Sequence, residues 1–459
     1  MKRFIAVLLS LMLVLVAVGC GSSNTAEENV SNEAVTETET EAVTEPVELE
    51  EVEEDVEISM QIVWAEDSGR GKAIREILDA FEAKNPNIKV NLLGGTQDAQ
   101  KVLSLILSGE APEVIQVPYR HVQAIGEQGG FVELTGDFGG NKDLFFDQIW
   151  QLGEFDGSLF GYPWMGHSIQ LVYNKTMFDE AGLDKAPETW DELYEYAKTL
   201  TIDKDGDGTI DQYGLGLIGK QSHDITWMFN MFVTQAGAEL IKEVDGKERI
   251  AINSDEGKAA LEFYSKLVQE VCPPDTANKN GGDVMADFRN GITAMEFQGP
   301  WGVTDIWKNG NPFEVSAAEV PAGSAGRAAD IGPYMLTVPV GVEDQKLAAS
   351  KLLIEFLGSK EGQEMLMKGE VADDGNYYPF RVPIRKDMKD TDYFKEHPEL
   401  LVFIKGFEYP SISTPSTGWI RVEEEVYQSQ LNQVMTGQLT PEEALMNIEE
   451  MGNKILDEN

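Results

Sequence analysis

The feature that most constrains this chain is a regular alternation of strand-like and helix-like segments between residues 58 and 118. Ile58, Met60 and Ile62 alternate with polar residues before Val63-Trp64, the period of a strand. Gly69 to Lys84 then carries Ile74, Ile77-Leu78 and Phe81 at helical spacing and stops at Asn85-Pro86. A second strand over Ile88 to Leu93, a second helix over Asp98 to Leu107 and a third strand over Val114 to Val117 follow. This order implies a parallel sheet with right-handed crossovers, an α/β fold. Ligands of open α/β sheets sit beyond the carboxyl ends of strands, where Trp64-Ala65-Glu66-Asp67 and Pro118-Tyr119 fall.

With 459 residues there is room for two such domains, each with its own core. The amino terminus stands apart. Lys2-Arg3, the apolar run Phe4 to Val18 and Gly19-Cys20 read as a secretory signal over residues 1–19, too short for a spanning helix. Ala17 and Gly19 before Cys20 resemble a bacterial lipoprotein processing site, with Ala17 where leucine is usual. The resemblance implies lipid attachment at Cys20 and anchoring by several acyl chains. Residues 21–57 hold fourteen carboxylates and no Lys or Arg, so 20–57 reads as a lipidated cysteine followed by an acidic, extended tether. The rest of the chain remains strongly acidic (formal net charge −44 overall), which disfavours nucleic acid and anionic lipid as partners. With Cys20 lipidated, Cys272 has no partner for an intrachain disulfide and reads as a small packing residue.

Glu154 to Gly182 is a second informative stretch. Asp156-Gly157 between apolar residues predicts a tight hairpin. Gly161-Tyr162-Pro163-Trp164 is expected to break pairing. Ile169 to Tyr173 predicts a buried strand, and Thr176 to Ala181 a short helix ended by Gly182. Such a stretch suits a crossing between two lobes, and equally a βα junction inside one. Further on, Thr189 and Glu192 predict a capping box around Trp190. Asp203, Asp205, Asp207, Gly208, Thr209 and Asp211 match the start of an EF-hand-type loop, with Gln212 as a weaker amide ligand. The twelfth position is Gly214 rather than a bidentate Glu. A structural calcium and a plain Asp/Gly-rich turn before a strand over Tyr213 to Ile218 are the two readings; mutual repulsion of the carboxylates favours the metal. Ser254 to Val271 predicts a long helix, Leu347 to Leu357 another, and Thr440-Pro441 a capped final one.

Several of these segments carry a family resemblance. Tyr162-Pro163, Leu171-Val172-Tyr173-Asn174-Lys175, Phe178 and Ala181-Gly182-Leu183 are similar to the extracellular solute-binding proteins of ATP-binding-cassette importers, the maltose-binding-like group. So are Phe81, Pro86, Ile88-Lys89-Val90, Ser108-Gly109-Glu110-Ala111-Pro112-Glu113-Val114, and the run from Asp287-Phe288 to Gly299-Pro300-Trp301. Glu113 stands where that family usually has Asp. The resemblance implies a two-lobed type II binding fold, each lobe a mostly parallel sheet flanked by helices, with the cleft at the hinge. It places the first lobe at 58–167 plus 322–380 and the second at 168–321 plus 381–459. It implies a monomeric receptor that captures a carbohydrate, an oligosaccharide by preference, and hands it to membrane permease subunits. Combined with Cys20, the expected location is the outer face of the bacterial cytoplasmic membrane.

Catalytic signatures are absent from the sequence. His121, His167, His223 and His397 form no metal motif, and there is no nucleophile elbow, Walker loop or dinucleotide fingerprint. The expectation is therefore no enzyme and no organic cofactor. The rivals are a secreted sugar-processing hydrolase, which needs only a carboxylate pair, and a sensor without a transport partner. Of the eight tryptophans, Trp64, Trp164, Trp301 and Trp419 lie at a strand end or beside Gly/Pro breaks, where a ring can face a cleft. Trp227 is a fifth candidate for stacking on sugar C–H faces. Glu66, Asp67, Gln298 and Arg421 are the candidates for hydrogen bonds to hydroxyls. Trp150, Trp190 and Trp307 read as packing residues.

Overall fold

The computed structural model describes residues 49–96, 98–411 and 416–458. The signal, Cys20 and most of the acidic tether lie outside the described residues. The body begins earlier than the sequence suggests. Leu49 and Val52 pack against the first core, and Glu53 N donates to Gln345 Oε1 at 2.9 Å. The first strand, Val56–Ile62, already pairs Val56 with Ile88. Its apolar residues have a sheet to cover, which ends the tether before residue 57.

The first lobe is built on a five-stranded sheet in the order Ile88–Gly94, Val56–Ile62, Val114–Pro118, Tyr334–Thr337 and Tyr162–Met165. Its first three strands are parallel, as the strand–helix alternation requires, and Tyr334–Thr337 runs antiparallel to both of its neighbours. Helices Gly69–Lys84 and Ala99–Ser108 make the crossovers, capped by Ser68 and Asp98 side chains. Asp156 (φ 49°) and Gly157 (φ 79°) form the hairpin turn between Glu154–Phe155 and Ser158–Leu159. Pro163 does not end the pairing that follows. Tyr162–Met165 lies at the sheet edge, where a residue without an N–H is tolerated.

The second lobe has a three-stranded sheet, Met295–Gln298, Gln170–Asn174 and Val315–Ala318, antiparallel throughout rather than mostly parallel. The expected strand over Tyr213 to Ile218 reduces to two parallel bridges, Tyr213 to Thr293 and Gly216 to Glu296. Long helices His223–Ala236, Asp255–Glu270 and Pro441–Glu458 close the core around Phe229, Phe232, Tyr264 and Leu445. Thr440 and Glu443 form the reciprocal cap of the last helix. Cys272 is buried here, and burial pushes its thiol pKa up, as expected of an inert packing residue.

The lobe boundary after residue 380 moves. Val382, Ile384, Met388, Phe394, Phe403 and Phe407 pack into the first core, whereas Trp419, Val422 and Tyr427 join the second. The last crossing is therefore near Pro410, whose neighbour across the hinge is Ala329. Two apolar clusters in this segment compete for different lobes, and sequence spacing does not distinguish them. Trp150 is buried in the first core, and Trp307 packs against it; Trp190 stacks on Phe263 at 4.6 Å in the second lobe.

Candidate functional site

A cavity of about 310 Å³ opens at the junction of the two lobes. The first lobe contributes the end of strand Val114–Pro118 with Tyr119 and Arg120, the start of Tyr334–Thr337, and Arg381. The second contributes His223, Asp224 and Trp227 from one helix, Gln298 and Trp301 from a strand–helix junction, and Trp419 with Glu423 from another helix. His167 and Asp330 come from the crossing segments themselves. The cavity thus opens beyond Pro118, at the carboxyl end of a parallel strand.

Each polar group is held by its neighbours. Asp224 accepts from the backbone N–H of Gly281 at 3.0 Å and from Trp227 Nε1 at 3.4 Å. Glu423 Oε1 lies 2.5 Å from His223 Nδ1 and accepts from Thr226 Oγ1 at 3.1 Å. Burial acts to raise the Glu423 pKa, but the His223 imidazole, with help from Arg120 and the Thr226 hydroxyl, holds it below the usual range. Glu423 begins a π-turn, Glu423–Tyr427, within the helix that starts at Thr417, and its neighbour Glu424 is pushed up by burial and by the Glu423 charge. Trp301 Nε1 donates to Gln298 Oε1 at 2.8 Å, and Gln298 Nε2 donates to the Gly281 carbonyl at 3.1 Å.

The opposite end of the cavity is an aromatic box around a cation. The Arg381 guanidinium lies 4.5 Å from the Trp301 ring centre, 5.5 Å from that of Tyr334 and 5.7 Å from that of Trp64. Arg381 is 7% exposed, and burial lowers its pKa to about 10, so it remains charged at neutral pH. The His167 ring meets Trp301 edge-on at 4.7 Å, and its Nε2 lies 3.8 Å from Asp330 Oδ2, too long for a hydrogen bond. Burial outweighs that carboxylate and brings the His167 pKa down to about 4, leaving the ring neutral.

The nine expected ligand residues divide three ways. Trp227, Gln298, Trp301 and Trp419 line the cavity. Trp301 sits in the first turn of helix Pro300–Lys308, behind Gly299 and Pro300. Trp64, Glu66 and Asp67 border a neighbouring shallow depression with Gly94 and Gly95. Trp64 joins the main site through Tyr334, edge-on at 5.5 Å. Glu66 is occupied by the Gly94 N–H at 3.0 Å. Trp164 and Arg421 belong to neither. Trp164 is wholly buried in the first core because its edge strand turns that face inward. Arg421 pairs with Glu425 and Glu458 across the surface of its own helix and the last one. Sequence reading missed Arg381, His167, His223, Asp224, Glu423 and Tyr334. Their positions converge only in the folded chain, and Tyr-Pro-Phe-Arg381 carries no local motif.

The acidic loop is compact. Asp203, Asp205 and Asp211 each offer an oxygen within 4.8 Å of the others. Asp203 accepts from Gly206 and Gly208 N–H at 2.7 and 2.8 Å, and Asp211 from Lys204 N–H at 2.7 Å. The backbone bond from Gly208 is the main cause that lowers the Asp203 pKa. Asp207 instead turns to the Thr209 N–H, and Thr209 is exposed. Gln212 is 3% exposed, its Nε2 donating to the Leu200 carbonyl, which draws it out of the exposed loop.

Two lobes around a cavity built from both have the arrangement of a binding protein that holds its ligand between them. The family model for bacterial extracellular solute-binding proteins matches residues 65–364, and this chain belongs to that family. A Brucella abortus binding protein is 23% identical over 392 residues, 84% of this chain and 90% of that one. A maltooligosaccharide ABC transporter solute-binding lipoprotein of Streptococcus pneumoniae is 26% identical over 314 residues, 65% of this chain and 68% of its own. The maltose-bound structure of MalE3 from T. maritima superposes with a TM-score of 0.74 at 21% identity, covering 87% of this chain and 99% of that one. Among the described residues no helix is long and apolar enough to cross a membrane.

Proposed function

We propose that this protein is a lipid-anchored receptor that captures a carbohydrate in the interlobe cavity and delivers it to an ATP-binding-cassette permease. The observation that carries the proposal is the lining of that cavity. Trp227, Trp301, Tyr119 and Tyr334 offer rings for sugar C–H faces, and Asp224, Asp330, Glu423 and Gln298 offer acceptors and donors for hydroxyls. Relatives named for maltooligosaccharide and maltose support the same class of ligand. Anchoring through Cys20 supplies the membrane contact, and the acidic tether gives the receptor reach to its permease. The binding lobes act without turnover. A thermal-shift screen of the purified protein against neutral and charged glycans tests the reading, because a ligand bound only by the folded state raises the melting temperature. Absence of any shift, confirmed by calorimetry, refutes it; release of products during incubation favours a hydrolase instead. Asp203, Asp205 and Asp211, with Asp207 able to reach in, are proposed to hold a structural calcium that removes their mutual repulsion.

A further inference from the structure

Arg381 is a buried charge in the cavity. Its neighbour Arg70 bonds Glu370 at 2.9 Å, and Glu370 also accepts from Lys308 at 2.6 Å. Arg120, also in the lining, lies within electrostatic reach of Glu423 and Glu424. Arg381 donates from one terminal nitrogen to the Phe380 carbonyl at 2.9 Å and is hydrogen-bonded to the Tyr334 hydroxyl, but its buried Nε has no acceptor, and it makes no ion pair with any described carboxylate. Aromatic rings on several sides fix the guanidinium in place and supply only a weak counter-field. A buried guanidinium whose Nε is unpartnered and whose other bonds are all to neutral oxygens still lacks an anion, and its fork matches a carboxylate. The carboxylates of the cavity do not answer this need. Asp224 and Glu423 lie on the second lobe with donors of their own, and Asp330 stands beside His167.

We propose that the carbohydrate taken by this receptor carries a carboxylate, as a uronic acid does, and that Arg381 is the residue that selects it. The proposal rests on the carbohydrate reading above and narrows it. The anionic end of the ligand lies in the box of Trp301, Tyr334 and Arg381, and its hydroxyls face Asp224 and Glu423. A neutral sugar of the same shape would leave the guanidinium buried and unpaired, so discrimination arises from the penalty as much as from the bond.

The test uses matched oligosaccharide pairs: galacturonate against galactose, glucuronate against glucose, and mannuronate against mannose oligomers. Binding to the full-length protein is measured by calorimetry. The expected result is that at least one uronate member binds roughly ten- to hundredfold tighter than its neutral partner, with the preference falling as salt is raised. Arg381→Gln should abolish the preference and Arg381→Lys should keep part of it, with thermal melts to check that each variant is folded. The wild-type preference needs no variant, so a misfolded Arg381→Gln does not rescue the idea. Neutral members bound as tightly as, or tighter than, every uronate member overturn the proposal while the carbohydrate reading stands. No binding by any pair overturns both.

Discussion

Truncating Trp227 to alanine separates a ligand platform from a packing residue. Trp227 lies on helix His223–Ala236, faces the cavity, is half-buried against the second core and donates a long hydrogen bond from Nε1 to Asp224. Removing an exposed stacking ring should weaken sugar binding by about 1–3 kcal/mol, a loss of roughly five- to 150-fold. The fold should lose less than at a fully buried tryptophan, because the ring is only partly buried where it packs against the second core. Trp419 provides the contrast. It lines the same cavity but is 2% exposed and packs on Tyr427 at 5.3 Å, so Trp419→Ala should cost about 3–5 kcal/mol of stability. Each variant is melted without ligand, then titrated calorimetrically with the glycan that most stabilises the wild type. The reasoning requires affinity to fall for Trp227→Ala with a smaller drop in melting temperature than Trp419→Ala shows. If Trp227→Ala binds normally, or melts as low as Trp419→Ala, the placement of the stacking platform is wrong.

Four further outcomes are expected. Chelation should lower the melting temperature and calcium should restore it, more weakly than for a complete EF-hand loop because Gly214 occupies the twelfth position; calorimetry on chelated protein and on Asp203→Asn checks this. His167 is neutral when folded, so the unfolded chain takes up its proton first. The stability it supports is intact above pH 6.5 and is lost as pH falls toward about 4, roughly 3 kcal/mol in all. Denaturant titrations at pH 7 and 4.5 should show His167→Gln losing less on acidification than wild type, and equal losses would refute it. Cys20→Ser should abolish acylation, read by mass spectrometry of membrane fractions. Gly332→Ala should disturb the site, since a Cβ there would sit 2.2 Å from the His167 ring; a tenfold or greater loss of affinity, relieved in a His167→Ala background, is the expected signature.

Local chemistry made much of this fold readable. The caps at Ser68, Asp98, Ser254 and Thr440 and the turn at Asp156-Gly157 each depend on a few adjacent residues, and helix Gly69–Lys84 appears where its apolar stripe requires. What was hidden depends on distant parts of the chain. Pro163 reads as a break unless the strand is known to lie at an edge, and that is decided by Tyr334–Thr337 far downstream. The segment 381–407 is apolar enough for either lobe and joins the one where Phe403 and Phe407 find room. Trp164 and Trp301 share the same Gly/Pro flanks, yet one is core and the other faces the cavity, because a sheet edge and a helix start turn their side chains differently. The aromatic candidates were partly legible for that reason, whereas Arg381 had no signal short of its three-dimensional company.

The crossings explain how binding in such a cavity can alter the shape of the whole protein. Gly166 pairs with Val382, Ser168 with Ile331 and Ala329 with Pro410, so the three segments between the lobes lie laced together. Gln170 ties the first to the second by accepting from Val320 N–H at 2.9 Å and donating to Ser168 Oγ at 3.0 Å. His167 and Asp330 project from this lacing straight into the cavity. Rotation of one lobe against the other must therefore move cavity walls and hinge together. A ligand bridging Arg381 and Tyr334 on one lobe to Trp227 and Glu423 on the other has those contacts only when the lobes are close, so its differential affinity is the free energy available for closure. A ligand held by one lobe alone would bind and leave the hinge where it was. The placement of donors, acceptors and rings on both walls thus couples recognition to closure of the lobes.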